Sequence, residues 1–331
     1  MDAMPQRPLR YAVGLPNRRE YADPRLLREL GVLAERSGWD GFFLWDGQVA
    51  EHPDEHLTDS WTTLAAIAAD TERLRLGVMV SVLALKRPAE VARATVALDL
   101  LSGGRLIFGA GLGSSAAEFQ ALGQDPDPRV RAEKLDEALH VLDGLWTGRP
   151  FTFHGRWFTV TDLTFQPVSP QRPRIPVWIA GTWPSRRPMR RAAQWDGVFP
   201  TRAGVGHTEM MPPADLETVV SYVRAQRAVR NGQFDAPSDA PSDAPSDASS
   251  DASFDVVMEG RTSGLRRDAD AMVVAPYRAA GLTWWVEKLG WFRGPVELVR
   301  ARIRSGPPVP VDPGADPVGT GCRTEPVVGR P

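Results

Sequence analysis

Eight short β-rich runs alternate with eight amphipathic runs along most of the chain, and this regularity predicts an α/β protein closed as a (β/α)8 barrel of the TIM type. Two further observations support the closed form. An open parallel sheet of eight strands usually splits or pairs into halves. The 42% apolar composition is enough for one sizeable core, while no apolar run is long enough to span a bilayer. The length of 331 residues alone allows two ordinary domains or one large one, and the alternation selects one, over residues 1–306.

The strands are expected at residues 9–14, 41–46, 74–83, 105–111, 176–180, 197–200, 254–260 and 282–287, and the helices at 24–37, 60–69, 89–101, 129–146, 188–194, 213–229, 269–280 and 295–303. The first strand begins within ten residues of Met1 with no apolar signal-peptide core before it, so a cytoplasmic location is expected. In the fourth helix Val130, Leu135, Ala138, Leu139, Val141, Leu142 and Leu145 recur at helical spacing, with Arg131, Glu133, Lys134 and Glu137 largely opposite. After that helix, residues 151–160 place a central His154-Gly155 between β-rich arms and read as a hairpin inserted in a loop. Residues 235–254 repeat Asp-Ala-Pro-Ser three times and close with two Asp-Ala-Ser variants. Almost nothing apolar is available there, so a disordered acidic insertion is expected. Seven prolines in residues 307–331 predict a disordered tail.

The charge balance of 39 Lys+Arg against 41 Asp+Glu gives no reason to expect nucleic acid or an anionic membrane as the main partner. Only Lys86, Lys134 and Lys288 are lysines, a bias that a GC-rich genome would equally produce. Cys322, the single cysteine, lies in the tail, which excludes an internal disulfide, a cysteine metal site and a buried thiol nucleophile. His52 and His56, at i and i+4, sit around Pro53 among acidic residues, which favours a loop over half a zinc site. No metal constellation, Walker loop, Rossmann fingerprint or nucleophile elbow is present in its required context. The chemistry must therefore come from a bound cofactor or from dispersed residues.

In such barrels the site forms at the carboxyl ends of the strands. Asp46 ends the second strand, residues 79–82 the third and Gly109-Ala110-Gly111-Leu112-Gly113 the fourth. The glycine run reads equally as a tight strand-to-helix turn or as a loop that lets a ligand approach the backbone. Gly181, a helix start and Arg186-Arg187 after the fifth strand would suit a phosphate, although a solvated arginine pair is the commoner case.

Trp39-Asp40-Gly41-Phe42-Phe43-Leu44-Trp45-Asp46, Arg73-Leu74-Arg75-Leu76-Gly77, Arg87-Pro88-Ala89, Asp99-Leu100-Leu101-Ser102-Gly103-Gly104-Arg105 and the glycine run follow one another in an order that resembles the bacterial luciferase-like flavin monooxygenases. Glu133-Lys134-Leu135-Asp136-Glu137, Phe153-His154-Gly155, Pro176-Val177-Trp178-Ile179-Ala180-Gly181 and Trp195-Asp196-Gly197 extend the resemblance, which covers roughly residues 9–305. It implies the same barrel, with reduced FMN, or in one branch the deazaflavin F420, lying across the strand ends. By position it places Asp46 beside the ring, Met79-Val80 at a non-prolyl cis peptide that buttresses the ring, Ser81, Leu112 and Gly113 against the cofactor, and Gly181, Thr182 and Trp183 around its phosphate.

Many members carry a histidine after the second strand, catalytic in the F420-dependent sugar-phosphate dehydrogenase branch, and that branch has a glutamate after the glycine run. Gly47 and Ser114 stand there in this chain. The departure favours FMN, with F420 as the alternative and a non-catalytic flavin-binding barrel as a third reading. The FMN reading is a monooxygenase in which a separate flavin reductase supplies the reduced cofactor, and O2 and a small organic substrate are consumed. His207, His52 and His56 are the candidate acid–base groups, and Trp45, Trp183, Trp284 and Trp285 the candidate pocket walls. Members of the family are often homodimers.

Overall fold

The β-rich runs become strands β1 (Arg10–Leu15), β2 (Gly41–Leu44), β3 (Arg75–Val82), β4 (Leu106–Gly111), β5 (Phe151–His154), β6 (Thr159–Leu163), β7 (Val177–Trp183), β8 (Gly197–Arg202), β9 (Asp255–Gly260) and β10 (Trp284–Lys288). The computed structural model describes residues 8–204, 206, 209–234 and 254–309. Eight strands form a closed parallel barrel in sequence order, with β10 bonded back to β1, while β5 and β6 pair antiparallel as the expected hairpin.

The helices are α1 (Pro24–Arg36), α2 (Ser60–Ala69), α3 (Pro88–Leu101), α4 (Ala116–Ala121), α5 (Pro128–Trp146), α6 (Arg186–Ala192), α7 (Pro213–Phe234), α8 (Arg267–Ala279) and α9 (Val296–Arg304). Several start on an aspartate cap: Asp23, Asp59 and Asp127 accept from the amides of Arg25 (2.8 Å), Thr62 (2.7 Å) and Arg129 (2.7 Å). Proline occupies the first turn of α1, α3 and α5, where a missing N–H costs nothing. Only α4 was not expected. It is six residues long, too short to display a period, and is started by Ser115 Oγ accepting from Glu118 N at 3.3 Å.

Strand alternation divides the core in two. Tyr11, Val13, Phe42, Leu76, Phe108, Ile179 and Trp285 face the helices, while Ala12, Phe43, Met79, Ile107, Trp178, Phe199, Val257, Trp284 and Val286 fill the lumen. Phe43, Trp178 and Trp284 plug the centre, with ring centroids 5.2, 6.0 and 5.3 Å apart. The adjacent Trp284 and Trp285 therefore serve opposite layers, and both are core residues rather than walls of a pocket.

At the amino-terminal end of the barrel, residues 99–105 form a hydrogen-bond hub. Asp99 accepts from Leu106 N (3.0 Å), Ser169 Oγ (2.5 Å) and Gln171 Nε2 (2.8 Å). The buried Arg105 donates to the carbonyls of Ser102, Leu74, Ala68 and Thr71 and to Thr71 Oγ1, at 2.6–2.9 Å. Gly103 and Gly104, at φ 66° and 86°, make the turn between them.

Glu35 secures the α2–β3 loop from α1, its carboxylate accepting from the amides of Glu72, Arg73 and Leu74 at 2.8–3.1 Å. Desolvation raises its pKa, but these amides and the charge of Arg73 outweigh it and hold the group below the ordinary 4.5. A depressed carboxylate gives stability that is present above its unfolded pKa and lost as pH falls through its folded value. Glu35→Gln is therefore expected to cost about 1 kcal/mol near neutrality, discounted for partial exposure, and to flatten the acid limb of stability below pH 4.5. Denaturant melts from pH 3 to 7 check this; a wild-type-like acid limb in the variant would refute it.

Residues 235–253 of the acidic repeat lie outside the described residues, whereas Phe254 is buried with the Arg227 guanidinium 4.5 Å from its ring centroid. Residues 310–331 of the tail also lie outside. The tail expectation began too early, because Pro308 is buried and Val309 packs on the core. Among the described residues no helix is long and apolar enough to cross a membrane, and no group of three His, Cys, Asp or Glu side chains could hold a metal ion.

Candidate active site at the barrel mouth

The third strand shapes the mouth. Its register with β4 shifts between Val78 and Ser81, and the Met79-Val80 peptide within that shift is cis, the geometry implied by the family resemblance. Met79 stays in the lumen, while Val80 is partly exposed at the rim. The glycine run accommodates this irregularity. A Cβ on Gly109 would fall 2.2 Å from the Val78 carbonyl oxygen, and one on Gly111 would fall 2.4 Å from Val80 Cγ2 and 3.5 Å from Ala180 Cβ. The first two glycines are thus demanded by packing against β3, and with Val80 and Ala180 they leave a low apolar wall. Gly113 is at φ 72° and its carbonyl accepts from Arg131 Nη1 at 3.1 Å.

Asp46, two residues past the end of β2, is buried. The Lys86 ammonium is 2.9 Å from its Oδ2, and Gln48 Nε2 donates to its Oδ1 at 2.8 Å. Burial raises the pKa of the carboxyl, and Lys86 opposes that rise. The fully buried Ser81 hydroxyl sits beside the bulge against the Asp46 carboxylate, whose pKa it helps to lower. Leu112, Gly181 and Trp183 are partly exposed at the rim, and Thr182 Oγ1 lies 3.1 Å from Thr201 Oγ1. Gly181 is required by α6, since a Cβ would fall 2.2 Å from Pro188 Cβ. Arg186 packs over the Tyr222 ring at 5.5 Å and Arg187 is exposed. An apolar wall and the partly exposed last residues of β7, with Arg186 and Arg187 just beyond them, fit a flat ring with an anionic tail.

His52 and His56 do not join this group. His52 and His56 line an open surface pocket of about 380 Å³ with Arg19, Asp54 and Glu55 on the β2–α2 loop. Arg19 of that pocket lies 4.4 Å over the Trp291 ring, which meets Trp45 edge-on at 5.8 Å. His207 lies outside the described residues. Arg202, five residues earlier in the sequence, pairs with Asp215. Gly47 has a local cause as well: a Cβ there would fall 2.8 Å from Arg18 Nη2, so the Arg18 guanidinium takes the space of a side chain.

Sequence reasoning missed the second charged pair of the mouth. Glu259 follows Val257, and Lys288 follows Val286, by two residues, so both face inward above the lumen core. Lys288 Nζ is 2.8 Å from Glu259 Oε2, and Trp45 Nε1 donates to Glu259 Oε1 at 3.3 Å. The available signal was lysine rarity, because two of the three lysines, Lys86 and Lys288, stand at the mouth on acidic partners.

A closed parallel barrel with a bulged third strand and its polar groups gathered at the carboxyl strand ends is the architecture of a small-molecule site. The chain belongs to the luciferase-like monooxygenase family, whose model matches residues 9–238. It is similar to an F420-dependent glucose-6-phosphate dehydrogenase of Beutenbergia cavernae, 33% identical over 201 residues that make up 59% of this chain and 58% of that one. The enzyme of the same name from Microbacterium testaceum is 30% identical over 180 residues, 54% and 52% of the two chains, and that from Rhodococcus hoagii 31% over 226 residues, 66% and 64%. The chain thus spans a little over half the length of the first of these relatives. In fold it resembles an F420-dependent secondary alcohol dehydrogenase in complex with an F420-acetone adduct (TM-score 0.72, 14% identity, 91% of this chain and 99% of that one). The FMN-bound oxygenating constituent of 3,6-diketocamphane monooxygenase from Pseudomonas putida also shares the fold (TM-score 0.61, 13% identity, 91% and 78%).

Proposed function

We propose that the chain is an oxidoreductase whose barrel mouth binds the deazaflavin F420 and moves a hydride between it and a small organic substrate. The observation that carries this reading is the 30–33% identity to F420-dependent dehydrogenases over more than half of both chains. This reverses the order favoured by Gly47 and Ser114 alone. The bound cofactor supplies the hydride chemistry, and the protein supplies position and dryness. Val80, Gly111 and Ala180 form the wall for the ring, the Asp46–Lys86 pair and Ser81 stand next to it, and Gly181, Thr182 and Trp183 with Arg186 and Arg187 receive the anionic tail. The second reading, a monooxygenase using reduced FMN from a separate reductase and O2, retains the support of the two missing acid–base groups.

Titrating the purified protein with F420 and with reduced FMN, followed by cofactor fluorescence and thermal melts, tests the order. F420 is expected to stabilise the fold by about 2.7 kcal/mol at a hundred times its Kd. Binding of FMN without F420 would restore the monooxygenase reading, and binding of neither would remove both.

A further inference from the structure

We propose that the Glu259–Lys288 pair is the substrate's polar contact and that it selects a neutral molecule bearing a hydroxyl or carbonyl oxygen over a phosphorylated one. The proposal rests on the F420 reading for where the cofactor lies, and the inorganic phosphate arm of its test does not need the cofactor.

The pair is the charged feature of the upper lumen. It faces inward from β9 and β10, while the wall across from it, Val80, Gly111 and Ala180, has no titratable group. Its side chains keep 14% and 15% exposure, buried enough for direct hydrogen bonding to matter and open enough to be reached. The Lys288 ammonium has three N–H donors, and Glu259 is its only ionic partner among the described residues. It lies 5.6 Å from the ring centroid of Trp45, whose indole N–H holds the other carboxylate oxygen. A hydroxyl entering here can accept from the ammonium and donate to the carboxylate, and a carbonyl can accept from the ammonium.

Charge decides the class. The pair sums to zero, and most other cations around the mouth are ion-paired: Lys86 with Asp46 (2.9 Å), Arg18 with Glu51 (2.6 Å), Arg19 with Glu55 (3.2 Å), Arg293 with Glu287 (3.4 Å) and Arg202 with Asp215, while the buried Arg131 is held by the Gly113 carbonyl (3.1 Å) and the Phe119 ring. Arg261 is also engaged. Arg186 and Arg187 follow the end of β7, where the cofactor tail is placed. A substrate phosphate would have to break an ion pair and be desolvated beside the carboxylate it displaced, which burial makes costly.

The test titrates cofactor-free protein with inorganic phosphate, and F420-loaded protein with cyclohexanol, cyclohexanone and glucose 6-phosphate, reading tryptophan fluorescence and calorimetric heat. Wild type is expected to bind the two neutral probes at least tenfold more tightly than glucose 6-phosphate. Glu259→Gln, a near-isosteric change that releases Lys288, should raise affinity for inorganic phosphate at least tenfold, and adding Lys288→Met should erase that gain. Equal or tighter binding of glucose 6-phosphate by wild type, or unchanged phosphate affinity in Glu259→Gln with a wild-type melt, would overturn the proposal. If Glu259→Gln does not fold, the wild-type probe ranking still decides. F420 fluorescence in the same samples reports the cofactor reading separately: loss of F420 binding together with the expected phosphate gain would remove that reading and leave the selectivity of the pair standing.

Discussion

Gly109→Ala is expected to destabilise the protein by about 3 kcal/mol and to weaken cofactor binding at least tenfold, on the scale of overpacked cores. The added methyl would sit 2.2 Å from the Val78 carbonyl oxygen and 3.4 Å from Val80 Cγ1. The obstacle is backbone, so no rotamer change relieves it. β3 and β4 must separate where their register already shifts, and the wall made by Val80 and Gly111 moves with them. The control is Gly123→Ala, with nothing within 4 Å of its Cβ but a φ of 66°, where only local strain of about 1 kcal/mol is expected. Denaturant midpoints and F420 titrations of both variants check the contrast. Equal losses at the two positions would remove the packing argument.

Arg105→Ala is expected to cost about 4 kcal/mol without changing the mouth, because it strips donors from the buried carbonyls of Ala68, Thr71, Leu74 and Ser102 together. Arg105→Lys should recover only part of this, since three rotating donors replace a planar fork that makes five bonds here. Melting curves give the ranking, and cofactor affinity measured well below the transition should match wild type in both variants. A selective loss of affinity would mean that the hub reaches the site.

The contrast between these two positions explains what could be read from the residues. Strand and helix order was legible because each barrel unit repeats a buried β run and a one-sided helix. The run from Asp99 to Arg105, among the clearest marks of the family, turned out to secure the end of the barrel away from the chemistry. The glycine run at 109–113 read equally as ligand loop or turn, and only the register shift in β3 explains its first two glycines as room for Val78 and Val80. Asp46 and Met79-Val80 were reached through resemblance, not spacing. Glu259 and Lys288 were missed because they come from two strands 29 residues apart and acquire a shared direction only once β9 and β10 are in register. The adjacent Trp284 and Trp285 looked equivalent, and alternation gave one to the lumen and the other to the helices.

The attachment points of the Asp-Ala-Pro-Ser repeat have a practical meaning. Helix α7 leads into it, and Phe254, packed under Arg227, leads out of it into the first residue of β9. Both lie at the opposite end of the cylinder from the strand termini that carry Val80, Asp46 and Lys288. A fluorophore, an affinity tag or a surface tether placed within residues 235–253 therefore joins the chain on its far side, so the protein can be anchored through the repeat with its mouth turned toward the solution.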